Sequence, residues 1–111
     1  MKYLLHLFNT PSDFGDDWLA YARNVVLHIA LVGLVNASSE AIVPGWGFAI
    51  GAIAYALIWE IPQWYFKGGD PADCVEDWAF VQAGALAYLT ADPRVIVIAA
   101  AFLISGVLRR T

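Results

Sequence analysis

Thr90-Ala91-Asp92-Pro93-Arg94 is the stretch that decides how this chain folds. It interrupts a largely apolar run from Val75 to Leu108. A single helix through that run would set Asp92 and Arg94 deep among apolar residues and break its ladder at Pro93, which has no amide proton. A tight hairpin avoids both costs. Asp92 then caps a new helix, and Pro93 takes the first helical position, where a missing amide costs nothing. The same signature occurs twice more. Thr10-Pro11-Ser12-Asp13 and Asp70-Pro71-Ala72-Asp73 each place a capping side chain before a proline. An aspartate follows three residues after each cap, where negative charge favours a helix N-terminus. The expected fold is all-α in a single domain, with helices at about residues 11–36, 46–66, 71–90 and 93–110; three helices is the alternative. The polar segment Asn36-Ala-Ser-Ser-Glu40 reads as a loop, Pro44-Gly45 as a turn, and Lys67-Gly68-Gly69 as a helix stop.

Composition names the solvent. Of 111 residues, 60% are hydrophobic and 14% charged. A soluble domain has about 25% charged residues, and a chain this short has too little interior to hide the surplus apolar side chains. Lipid is the natural alternative, so an integral membrane helical bundle is expected. Trp46 opens the second helix and Trp59, Trp64, Tyr65 and Phe66 close it, like aromatic belts at two interfaces. With four spans, Lys2, Arg23, Lys67, Arg109 and Arg110 fall on one side and Arg94 on the other. That bias predicts a bacterial-type inner (cytoplasmic) membrane with both termini cytoplasmic. The start, MKYLLHLFNTP, lacks the apolar core and cleavage site of a signal peptide, so no cleavage is expected. The net charge of −4 and scattered basic residues argue against nucleic acid. Cys74 is the sole cysteine and has no disulfide partner within the chain.

The polar residues near the end of the second helix and the start of the third are the candidate site. Glu60 and Gln63 lie three apart and share a helix face. Asp70, Asp73 and Asp77 follow helical spacing and make the next helix start acidic. Glu60, Gln63, Asp70, Asp73 and Asp77 together suggest an interfacial pocket for a divalent cation held by oxygen ligands, or for a cationic or hydroxylated lipid headgroup. The plain alternative is that Asp70 and Asp73 cap the helix, Glu76 and Asp77 are solvated, and Glu60 pairs with Lys67 or a headgroup. Asn24 and His28, four apart, and Gln82 are polar residues within apolar helices, suited to interhelical hydrogen bonds or a proton relay. No dense metal-ligand spacing and no cofactor motif occurs, so neither metal nor cofactor is expected. Gly47 and Gly51 form a GxxxG, and Ala79, Ala83 and Ala87 repeat at four-residue spacing; small residues of this kind let helices pack closely in lipid.

The stretch from Glu60 to Gly84 resembles the VanZ-like family of small membrane proteins, with Glu60, Gln63, Asp77 and Gly84 at matching positions. The family's loop arginine is missing, and Val81 stands where an asparagine is expected, beside Gln82. The resemblance implies a polar membrane pocket and no particular reaction. The expected role is a small non-enzymatic polytopic membrane protein, an accessory subunit that binds lipid or a larger complex. Its partners would be membrane lipids and either copies of itself or other membrane subunits. Two alternatives are a phage-type holin forming an oligomeric pore and a membrane-embedded enzyme on a lipid-linked substrate.

Overall fold

A computed structural model describes residues 17–111, which form four helices and no strand. We label them α1 (Trp18–Ile42), α2 (47–67), α3 (Pro71–Thr90) and α4 (Pro93–Arg109). Asp70 and Asp92 accept from Ala72 N and Arg94 N, at 3.0 and 2.9 Å, so the two cap-proline starts form as chemistry dictates. The start expected at Thr10-Pro11 lies outside the described residues. Among the described residues, Asp17 caps α1, accepting from Ala20 N at 3.0 Å.

α1 also runs further than its polar segment suggested. Residues 36–40 are helical, not a loop, and the side chains of Asn36, Ser38 and Glu40 find partners compatible with helix. Asn36 Nδ2 donates to Gln82 Oε1 at 2.6 Å, and Ser38 Oγ bonds back to Leu34 O at 2.8 Å. Glu40 reaches past the Pro44-Gly45 turn and accepts from Gly45 N at 2.5 Å and Phe48 N at 2.7 Å. It thereby caps α2, whose own N-cap residue, Trp46, makes no side-chain cap.

α1 and α3 form the centre of the bundle, with α2 and α4 each packed on both. The centre closes at glycines. Gly33 and Gly84 bring the two backbones so near that a Cβ on Gly33 would stand 3.0 Å from Gly84 Cα, and one on Gly84 would overlap the Ile29 carbonyl. At the GxxxG, a Cβ on Gly47 would overlap the Ser39 carbonyl and one on Gly51 the Asn36 side chain, so this motif serves packing within the chain. The alanine repeat on α3 sits beside the main seam. Ala79 and Ala83 line a groove against α4, Ala87 lines another beside Ile29, and the buried seam is Asp77, Val81, Gly84 and Ala85.

α1 and α2 each contain one π-helical turn, at His28–Val32 and Ala56–Glu60. The second has a visible cause. Pro62 lacks an amide for the carbonyl of Ile58, and its ring crowds that carbonyl, so the helix widens. Ala91 closes α3 in the left-handed region, at φ 52°. A non-glycine residue is strained there. Ala91→Gly is therefore expected to raise stability by about 0.5–1 kcal/mol, read as a higher melting temperature in detergent.

Candidate functional site

Burial in this molecule is inverted. The residues most withdrawn from the surface include Asn24, His28, Asn36, Glu60, Gln63, Asp77 and Gln82. Large apolar side chains such as Ile42, Phe66 and Ile58 are exposed at 80, 78 and 72%. An apolar core exists, but it is small: Tyr21, Val25 and Phe80, with Ile29, Leu103 and Val107 against them.

Three helices supply the centre of the polar interior. His28 opens the π turn of α1, Glu60 ends the π turn of α2, and Asp77 lies in the second turn of α3. Single π turns inside helices are frequent at functional sites, since they re-aim side chains that a regular helix would stagger. Here they bring one donor atom from each of the three residues within 4.8 Å of one another. His28 Nε2 and Asp77 Oδ2 are 3.9 Å apart.

The neighbours of these residues fix their roles. His28 Nδ1 lies 2.7 Å from the Asn24 carbonyl. A carbonyl can only accept, so Nδ1 donates to it, and Nε2 is the ring atom nearer Asp77. Asn24 Nδ2 donates to Asp77 Oδ1 at 3.4 Å, so one residue positions both partners. Tyr55 donates to Glu60 Oε1 at 2.6 Å. Glu60 Oε2 is buried with no hydrogen-bond partner.

The sequence-derived candidates thus divide. Glu60 and Asp77 meet, joined by His28 and Asn24. Gln63 is buried nearby in α2, while Asp70 and Asp73 stay at the start of α3. Asp77 is not solvated, and the strong donor to Glu60 is Tyr55. Gln82 leaves the cluster to hold Asn36. Asp73 is half-buried on the first turn of α3, near the carboxylates of Asp70, Glu76 and Asp77. At the other end of α3, the guanidinium of Arg94 grips Asp92 at 2.8 Å and holds its carboxyl below the usual range.

Two further features escaped sequence reasoning. Tyr21 donates a short hydrogen bond to Glu76, and the Arg110 guanidinium stacks 3.7 Å above the Tyr21 ring. These contacts tie the starts of α1 and α3 to the end of α4 at one end of the bundle. Beside Glu60, a groove of about 310 Å³ opens between α2 and α3, walled by Ala56, Ile61, Trp64, Val75 and Trp78. The indole of Trp78 is held by the Ala52 carbonyl at 3.0 Å. Aromatic residues flanking an acid in a helix are the one sequence signal that could have pointed to this groove. No protein-family model, curated protein or solved structure matches the chain.

Proposed function

We propose that this chain is an integral membrane four-helix bundle that holds a membrane lipid in the groove between α2 and α3, as a non-enzymatic lipid-binding or accessory subunit. The inverted burial carries the reading. In water, the exposed Ile42, Phe66 and Ile58 would cost free energy, and in hydrocarbon they cost none. α1 is long and apolar enough by itself to cross a membrane, and only 28% of its most apolar window is buried. α3, with 20 residues, and α4, with 17, are about 30 and 26 Å long at 1.5 Å per residue, close to the thickness of a bilayer core.

The groove fits an acyl chain. Its walls are aliphatic and aromatic, with Glu60 buried beside them. A holin would need polar side chains on the outside of each copy to line a pore. The buried polar groups described here point inward, which favours the lipid-binding reading.

In the proposed orientation, the end carrying Arg23, Lys67, Arg109 and Arg110 is cytoplasmic. The chain is expected to resist alkaline carbonate extraction and to retain lipid in native mass spectrometry. Val75→Trp, which fills the groove, is expected to lower lipid retention at least about tenfold, or 1.4 kcal/mol. In a Cys74→Ser background, Arg94→Cys should react with an impermeant maleimide in intact cells. Release by carbonate, or lipid retention unchanged by Val75→Trp, would overturn the proposal.

A further inference from the structure

We infer that His28, Glu60 and Asp77 form a binding site for one first-row transition divalent cation, of the Zn²⁺, Mn²⁺ or Fe²⁺ kind. The inference does not depend on the lipid groove. Three independent observations converge on it. First, the donor atoms of the three residues all lie within 4.8 Å of one another, and the His28–Asp77 pair is 3.9 Å apart. Bonds of about 2.0–2.2 Å to a shared ion place ligand atoms roughly 3–4 Å apart, so small side-chain movements close the site.

Second, Glu60 Oε2 is an acceptor without a donor, on a residue only 3% exposed. A buried carboxylate oxygen left bare is costly. A cation supplies far more than the weak thiol of Cys74, the other donor near this carboxyl. Third, the supporting contacts are those of metal sites. A ligating histidine typically donates its other ring N–H to a carbonyl or carboxylate, which fixes tautomer and ring angle. Here the Asn24 carbonyl receives Nδ1–H, the Asn24 amide holds Asp77, and the Tyr55 hydroxyl holds Glu60.

Charge selects a divalent ion. Neutral His28 with two carboxylates carries −2, and a dication makes the buried cluster neutral, the form of lowest cost in a low-dielectric interior. The imidazole selects the class. Mg²⁺ and Ca²⁺ prefer all-oxygen shells, whereas Zn²⁺, Fe²⁺ and Mn²⁺ accept mixed nitrogen and oxygen ligands. With three protein ligands, a coordination position remains for water.

The test uses the full chain in detergent. After chelator treatment and titration with Zn²⁺ or Mn²⁺, metal analysis is expected to show one equivalent per chain. Co²⁺ loading should give visible d–d bands. His28→Gln, Glu60→Gln and Asp77→Asn should each weaken binding at least about a hundredfold, and Asn24→Ala about ten- to a hundredfold. Circular dichroism identifies any variant that has lost its helices. Glu60→Gln and Asp77→Asn keep size and shape, so at least these two remain informative. Val75→Trp should leave metal binding unchanged, which separates this result from the lipid groove. Failure to bind metal at tens of micromolar, affinity unchanged in the ligand variants, or equal binding of Mg²⁺ would overturn the inference.

Discussion

Gly84→Leu is expected to destabilise the bundle by about 3 kcal/mol or more. Even the first carbon of a side chain at position 84 overlaps the Ile29 carbonyl, and leucine adds three more. The obstacle is backbone, so no rotamer change relieves it, and α1 must move away from α3. That movement reaches the polar centre, because His28 adjoins Ile29 and Asp77 lies two helical turns before Gly84 on the same seam. Thermal unfolding in detergent, followed by circular dichroism, should show a much lower midpoint. Ala100→Leu, on an exposed face of α4, serves as the control. Equal midpoints for the two variants would refute the glycine crossing.

Tyr55→Phe is expected to cost about 2 kcal/mol through one lost hydroxyl. The change removes the strong donor at 2.6 Å from a carboxyl that is 3% exposed, leaving the weak thiol of Cys74 near it. The ring remains, so packing is conserved and the loss reports on the hydrogen bond. The double variant Tyr55→Phe with Glu60→Leu should recover most of the stability, since neither polar partner then remains buried alone. Additive losses in that cycle would show that the two side chains are not coupled. A further check follows from the cation site: excess Zn²⁺ should partly restore Tyr55→Phe, by mass action on the folded state.

Some of this architecture was legible in the chain of residues and some was not, and the division has a physical basis. The cap-proline pairs at Asp70-Pro71 and Asp92-Pro93 are local chemistry. An aspartate side chain and a proline ring act within four residues, so both helix starts follow from sequence. Pro62 is equally local and announces a disturbance in α2. The segment from Asn36 to Glu40 misleads for the opposite reason. Its polarity is answered by Gln82 on α3, by a carbonyl one turn back and by the start of α2. Only one of those partners is near in sequence.

The polar centre divides in the same way. Glu60 stands out because an acid in an apolar helix is expensive anywhere, and Asp77 stands out by its helical spacing from Asp70 and Asp73. His28 and Asn24 stand out as a pair on one face. The sequence does not show that His28, Glu60 and Asp77 meet, since they come from three helices and two of them ride on π turns that shift their aim. Likewise, the alanine repeat at 79, 83 and 87 suggested the seam of α3, while the buried seam runs through Asp77, Val81 and Gly84.

Taken back to the Thr90–Arg94 interruption, the amino-acid sequence by itself determined an all-α chain broken into helices at capped prolines, because those signals act over one helical turn. The tertiary structure alone decided which face of each helix turns inward. In α1, α2 and α3 that face carries the polar residues, because α1 and α3 cross at glycines and bring donors and acids of separate helices together, while α4 turns Ala99 and Gly106 inward.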